Sequence, residues 1–273
     1  MRRSTPLEPQ RLVLFAAGYA VLAFLLLPSL LIVPMSLGEN PYMEFPPTGF
    51  TLRWYETFFS DPGWIKPAVF SFQIALLVAF LATVLGTMAA LSLVRGQVRG
   101  RSALQLLILS PVIAPNIVIA IAMFFFFAEL RMIGNLWAFV LAHSVLALPY
   151  VVLTVSAALY RYDSDLDLAA LSLGAGRIRA FFEVTLPLIS PAILSSAVFA
   201  FIISFDEPVI SFFVSGTRDK TLPRRLFENV QEELSPTVAA AAAVLTLLSI
   251  LLLALVLLFR YLGERGAGGK RIG

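Results

Sequence analysis

Six long apolar segments constrain this chain more than any other feature of its sequence. A bilayer core about 30 Å thick is crossed by about 20 helical residues, and every segment reaches that length. The segments are residues 12–37, 68–94, 103–128, 136–160, 188–214 and 239–259. Their apolar runs are continuous, which predicts helices and not the alternating strands of a membrane barrel. We therefore expect an all-α, polytopic membrane protein with six transmembrane helices in one domain, residues 1–273.

The composition agrees with this class. Hydrophobic residues make up 59% of the chain and charged residues only 14%, far from the balance of soluble domains. There is no cysteine, so the sequence offers no disulfide, no thiolate metal ligand and no cysteine nucleophile. It contains no nucleic-acid-binding motif either. We expect no metal site, no catalytic residues and no nucleic-acid partner.

The basic residues predict the orientation. If the amino terminus lies inside the cell, only seven of the 20 lysines and arginines fall in outer segments. These seven are Arg53, Lys66, Arg131, Arg218, Lys220, Arg224 and Arg225. Cytoplasmic loops carry the excess of basic residues in membrane proteins. We therefore expect a multi-pass membrane protein with an uncleaved first helix and both termini in the cytoplasm.

The first long stretch between the apolar segments, residues 38–67, is predicted to lie outside the membrane. It is rich in proline, glycine and aromatic residues, among them Trp54, Tyr55, Phe58, Phe59 and Trp64. Aromatic side chains favour the membrane interface, so one interpretation is a loop with a short interfacial helix. The other is a surface that meets an external protein.

The second long stretch connects the fourth and fifth predicted helices on the cytoplasmic side. Ser164 and Asp167 have the spacing of a capping box, which predicts a short helix from about Ser164. Gly174 should end that helix, because glycine readily adopts the left-handed conformation. A second short helix is predicted from Arg177 to Val184, ending before Pro187.

This loop, residues 161–187, resembles the EAA loop of the permease subunits of ATP-driven (ABC) importers. That loop reads Glu-Ala-Ala, three residues, Gly, nine residues, Ile, any residue, Leu-Pro. The matching positions hold Ala169, Ala170, Gly174, Val184, Leu186 and Pro187. The chain departs from the pattern at Leu168, which replaces the glutamate and has Asp167 one place before it, and at Val184, which replaces the isoleucine.

The resemblance implies a coupling helix that docks on a cytoplasmic ATPase subunit. The implied coupling residues are Asp167, Ala169, Ala170, Gly174, Leu186 and Pro187. Small side chains such as Ala169 and Ala170 let a partner's backbone approach closely. The structural alternative is an ordinary amphipathic hairpin at the membrane surface.

Further segments make the chain similar to spermidine/putrescine-type permeases. They are residues 142–152, 204–213 and 222–237. The resemblance implies a small organic cation, a polyamine, as substrate and a periplasmic binding protein that delivers it. It also implies a second, similar permease subunit and an ATPase dimer as partners. The same group includes importers of phosphonates and opine-like compounds, which remain the alternative substrates.

The sequence contains no Walker A motif, so ATP and its magnesium are expected on the partner ATPase, with no cofactor on this chain. The chain itself would then be a transport subunit and not an enzyme. An ion-gradient secondary transporter is the rival interpretation. Such a transporter has no reason to keep the spacing of an EAA loop, and this favours the importer.

Two acidic residues, Asp206 and Glu207, lie within the fifth apolar segment. A carboxylate at the centre of a membrane helix costs about 2.5–3.5 kcal/mol on insertion scales, and such groups usually face a water-filled path. They are therefore candidates for a cation path. Alternatively, they are structural hydrogen-bond partners of Arg218 or of a helix end. Pro208 should permit a break in the helix. Two further candidates for the path are Tyr150 and Asn116.

Two other polar features of the apolar segments are predicted to be structural. His143 is the only histidine, and with no cysteine or spaced acidic partner it is expected to be a buried hydrogen-bonding residue and not a metal ligand. Pro111 and Pro115 are expected to mark a kink in the third segment.

Overall fold

The computed structural model describes residues 9–96, 98–216, 219–232 and 235–268. Within these ranges all regular secondary structure is helical, as predicted. The helices are α1 (Pro9–Met35), α2 (Arg53–Ser60), α3 (Pro62–Arg95), α4 (Arg101–Ile113), α5 (Asn116–Glu129), α6 (Leu136–Arg161), α7 (Asp165–Ser172), α8 (Arg177–Ala180), α9 (Leu186–Phe205), α10 (Val209–Val214), α11 (Leu222–Glu232) and α12 (Pro236–Gly268). A π-helical turn, Phe181–Thr185, joins α8 to α9.

Five continuous helical runs of the described residues are long and apolar enough to cross a membrane. They are Val13–Met35, Pro62–Arg95, Leu136–Arg161, Arg177–Phe205 and Pro236–Phe259. Helices α4 and α5 qualify together as a sixth, although they meet at an angle of 106°. The prediction of six apolar spans is confirmed if this bent pair counts as one.

The third predicted segment is not one straight helix. Ala114 has extended backbone (φ −72°, ψ 141°) between the end of α4 and the start of α5, in agreement with the preference of the residue before a proline for extended backbone. Pro115 follows and has no N–H for the helical ladder. The predicted kink is present, but it is a sharp break and not a gentle bend.

The fifth predicted segment differs from the structure at its start. Its helix begins at Arg177 and runs through the π turn into α9, so the predicted stop before Pro187 is wrong. Proline is tolerated there because it follows a π turn, where the regular i−4 bonds that a proline would interrupt are already displaced. The Leu186 N–H bonds to the Phe181 carbonyl, five residues back, which widens the turn. The break predicted near Pro208 is confirmed, since α9 ends at Phe205 and α10 begins at Val209.

The chain forms two compact units. The first contains Met1–Asp61 and Asn229–Leu247. Here side chains of α2 bond to the segment that follows α1: the Trp54 indole donates to the Gly38 carbonyl at 2.7 Å, and the Tyr55 and Ser36 hydroxyls lie 2.6 Å apart. The short helix predicted within residues 38–67 is thus present as α2.

The second unit contains Pro62–Glu228 and Leu248–Gly273. Helices α3, α6 and α9 pack together at its core. Small residues allow the close approach that membrane helices use in place of a hydrophobic driving force. A Cβ atom on Gly86 of α3 would lie only 2.6 Å from a methyl carbon of Val151 in α6. The loop at residues 161–187 connects two of these core helices, α6 and α9.

Candidate functional site

The short helix predicted from about Ser164 is present as α7, but its start is not the predicted capping box. Ser164 has helical backbone, and its side chain makes no capping bond. Instead, the Asp163 carboxylate accepts the N–H of Asp165 at 3.0 Å. The capping box is wrong because Asp167, its second member, bonds to other side chains.

The end of α7 matches the prediction. Gly174 has a φ of +89°, in the left-handed region that favours glycine. The N–H of Ala175 donates to the carbonyl of Ala170, and the N–H of Gly174 donates to that of Leu171, both at 3.0 Å. This pair of bonds is a Schellman motif, which turns the chain sharply between α7 and α8.

Helix α7 has no buried residue. Ala169 is exposed and Ala170 is half-buried. Around them the loop exposes large apolar side chains, a set that we call the apolar loop face: Leu166, Leu168, Leu171, Leu173, Ile178 and Phe182. Leu186 is half-buried and Pro187 is exposed where α9 begins. Exposed apolar patches mark protein-binding surfaces, and these six side chains are the candidates for such a surface on this loop.

Asp167 differs from the other coupling candidates because its carboxylate bonds to three side chains of the same unit. One oxygen lies 2.9 Å from the Arg95 guanidinium. The other accepts the hydroxyls of Thr185 at 2.8 Å and Tyr162 at 2.6 Å. Burial and the bond to Asp167 raise the pKa of the Tyr162 phenol, so it remains a protonated donor at neutral pH.

Nothing in the sequence indicates the roles of Arg95, Tyr162 and Thr185. The orientation rule only assigns Arg95, with other basic residues, to a cytoplasmic segment. Its partners Asp167 and Thr185 lie far along the chain, and only the fold brings them together. The spacing of Tyr162 and Asp167 around the start of a short helix was the one local signal.

The two acidic residues of the fifth segment have different surroundings. Glu207 is buried, and its carboxylate accepts the N–H groups of Val209 at 2.8 Å and Ile210 at 3.0 Å. It therefore caps the first turn of α10. Asp206 ends α9 and is exposed. Across the described ranges, no side chain forms an ion pair or hydrogen bond with its carboxylate. Arg218, the proposed partner, lies outside the described residues.

His143 is buried between the two sides of the break. Its Nδ1 lies 3.0 Å from the Ser204 hydroxyl at the end of α9. Its Nε2 lies 3.2 Å from the Ser211 hydroxyl in α10. The prediction of a buried hydrogen-bonding histidine is confirmed, and its contacts join α6 to both helices.

The remaining path candidates are exposed. Tyr150 lies in α6, and Asn116 is the first residue of α5. In the part of the chain that the structure describes, no hydrogen bond joins either of them to Asp206. Within the described ranges of the chain, no group of three or more His, Asp or Glu side chains is placed to hold a metal ion.

Comparison with known proteins identifies the family. Residues 82–265 match the family described as "Binding-protein-dependent transport system inner membrane component". The chain belongs to this family of membrane transport components. The matched residues include the loop at 161–187 and the break at Asp206 and Glu207, so both candidate sites lie in the part that defines the family.

The chain is similar to two curated relatives in sequence and to one solved structure in fold. It is 34% identical over 237 residues to the spermidine/putrescine transport system permease protein PotC of Haemophilus influenzae, covering 87% of this chain and 92% of the relative. It is 32% identical over 248 residues to the putrescine transport system permease protein PotI of Escherichia coli K12, covering 87% of this chain and 86% of the relative. A chain of a bacterial ABC transporter involved in the import of the acidic polysaccharide alginate has the same fold, with a TM-score of 0.66, 14% identity and coverage of 92% and 97%.

Proposed function

We propose that this chain is one of two permease subunits of a bacterial ATP-driven importer of polyamines. A periplasmic protein delivers the polyamine, the two permeases form the membrane path, and a separate ATPase dimer holds ATP and its magnesium. The observation that carries the proposal is the similarity to PotC and PotI along most of the chain. The exposed carboxylate of Asp206, where α9 breaks, supports a cationic substrate.

The apolar loop face supports coupling to the ATPase. In the orientation that we propose, α7 projects into the cytoplasm, where the ATPase subunits are. The Schellman turn at Gly174 holds α7 against the start of the long helix that includes α9. ATP-driven closure of the ATPase dimer would then displace α7 and turn the permeases between outward and inward openings, a rigid-body change around the path.

The orientation can be tested by cysteine labelling, since the natural chain has no cysteine. Ser172 and Thr48 are both exposed. In spheroplasts, Thr48→Cys is expected to react with a membrane-impermeant maleimide. Ser172→Cys is expected to react only after the membrane is permeabilised. Labelling of Ser172→Cys in intact spheroplasts would reverse the orientation and remove the docking role of α7.

Transport can be tested in vesicles that contain the whole complex, with ATP inside and binding protein outside. We expect uptake of radiolabelled putrescine or spermidine that needs both ATP and binding protein. Dissipating ion gradients with ionophores should leave this uptake unchanged. Uptake that follows an ion gradient without ATP would instead identify a secondary transporter. ATP-dependent uptake of a phosphonate or opine-like compound, with no polyamine uptake, would keep the importer and reject the substrate.

A further inference from the structure

Four side chains form a closed polar network between the end of α3 and the loop at residues 161–187. We call Arg95, Tyr162, Asp167 and Thr185 the Asp167 network. Besides its bond to Asp167, the Arg95 guanidinium donates to the Thr185 hydroxyl at 3.1 Å. Its central carbon lies 4.6 Å from the centre of the Tyr162 ring, which is within the range of a cation–π contact. Each of the four side chains therefore touches at least two of the others.

The members of the Asp167 network come from four different parts of the second unit. Arg95 ends α3, Tyr162 follows α6, Asp167 lies in α7 and Thr185 ends the π turn before α9. Thr185 is fully buried, and the side chains of Arg95 and Asp167 are 31% and 23% exposed. Partial burial strengthens charge-assisted hydrogen bonds. The network therefore connects α7 to the end of α3, to the end of α6 and to the start of α9.

Apart from the Schellman turn at Gly174, helix α7 has little beside this network to hold it. It has eight residues, none of them buried, and a helix so short gains little stability on its own. Its large apolar side chains are exposed and make no core. Asp167 is the residue of α7 whose side chain bonds to α3 and to the π turn. The geometry thus fixes α7 relative to α3 chiefly through one carboxylate.

We infer that the Asp167 network transmits movement of α7 to the membrane helices, and we call this role the joint. Within it, Asp167 acts by holding Arg95 and Thr185 and not by touching the ATPase. Its carboxylate is turned inward and both oxygens are engaged, so a partner meets the apolar loop face instead. The inference rests on the proposed function. It assigns to Asp167, Arg95, Tyr162 and Thr185 a positioning role within that function.

The test is a double-mutant cycle in reconstituted complexes, with uptake and ATP hydrolysis measured together. Asp167→Asn and Arg95→Gln should each lower polyamine uptake about tenfold, as expected when a charged hydrogen bond is lost. The double variant should be no worse than the poorer single variant, because both changes break one interaction. The ATPase should remain bound, and ATP hydrolysis should lose its stimulation by loaded binding protein.

Matched variants distinguish loss of the network's hydrogen bonds from a general loss of folding. Thr185→Ser keeps the hydroxyl and should retain uptake, whereas Thr185→Val keeps the shape and should lose it. Asp165→Asn removes an exposed charge two residues from Asp167 and should have no effect. If Asp167→Asn lowers the amount of complex, the Thr185 pair still decides the question, and equal uptake in both Thr185 variants would refute the joint.

Other outcomes would also overturn the inference. Additive losses in the double variant, or release of the ATPase by Asp167→Asn but not by Arg95→Gln, would show that Asp167 contacts the ATPase directly. Normal stimulation of ATP hydrolysis in both single variants would remove the network from coupling while leaving the importer intact. If the natural complex itself shows no stimulation by loaded binding protein, the proposed function fails first, and the joint fails with it.

Discussion

Replacing Ala169 with arginine is expected to abolish polyamine uptake while the chain still reaches the membrane. Ala169 is exposed on α7, so the longer side chain disturbs no contact within the chain. Docked on an ATPase subunit, the arginine would be buried without a partner. An uncompensated buried charge costs about 3–5 kcal/mol, and each 1.4 kcal/mol is about a tenfold change. Uptake should therefore fall by at least about 100-fold.

The measurement pairs uptake with co-purification of the ATPase. In Ala169→Arg, both should be lost together, whereas the amount of permease in the membrane should be unchanged. Ala169→Ser, with a small uncharged side chain at the same position, is the matched control and should behave like the natural protein. Full uptake in Ala169→Arg would mean that α7 meets no partner, and the loop would then be only a surface hairpin.

Apolar length alone predicted most of the fold. Each of the six segments overlaps an apolar helical run of the structure, because a span of hydrocarbon demands a long run of side chains with little charge, which is a local property of the sequence. The break near Pro208 and the left-handed turn at Gly174 were predictable for a similar reason, since each depends on the backbone of one residue type. The sharp turn at Ala114 was foreseen only as a kink, because proline marks where a helix is weak and not how far it bends.

The errors arose where distant residues decide local structure. Ser164 and Asp167 had the spacing of a capping box, but Arg95 and Thr185 bind the aspartate in another direction. The stop before Pro187 failed because a π turn accommodates the proline, and that turn has no clear sequence signature. Side-chain partnerships between residues so far apart in sequence appear only once the helices have packed.

The sequence left Asp206 and Glu207 as equal candidates for a cation path, and their surroundings now distinguish them. Glu207 is buried and caps α10 with two backbone bonds, so its carboxylate is already used. Asp206 stands exposed at the end of α9. The carboxyl end of a helix carries a partial negative charge that favours cations, and broken membrane helices use such ends to bind them.

Asp206→Asn is therefore expected to reduce polyamine uptake about ten- to 100-fold, the loss of one charge-assisted contact of about 1.5–3 kcal/mol. The amide keeps the size of the side chain, so assembly and ATP hydrolysis stimulated by loaded binding protein should be preserved. Glu207→Gln is the neighbouring comparison. It weakens the cap of α10, and it should lower the amount of folded protein more than it lowers uptake per folded complex.

Charge, and not shape, is what the test must isolate at Asp206. Asp206→Glu keeps the charge and should retain most of the uptake that Asp206→Asn loses. With putrescine and spermidine compared in the same vesicles, a carboxylate on the path should affect the more highly charged spermidine more strongly. Unchanged uptake of both polyamines in Asp206→Asn would place the cation path elsewhere, and the substrate assignment would then depend on the similarity to PotC and PotI alone.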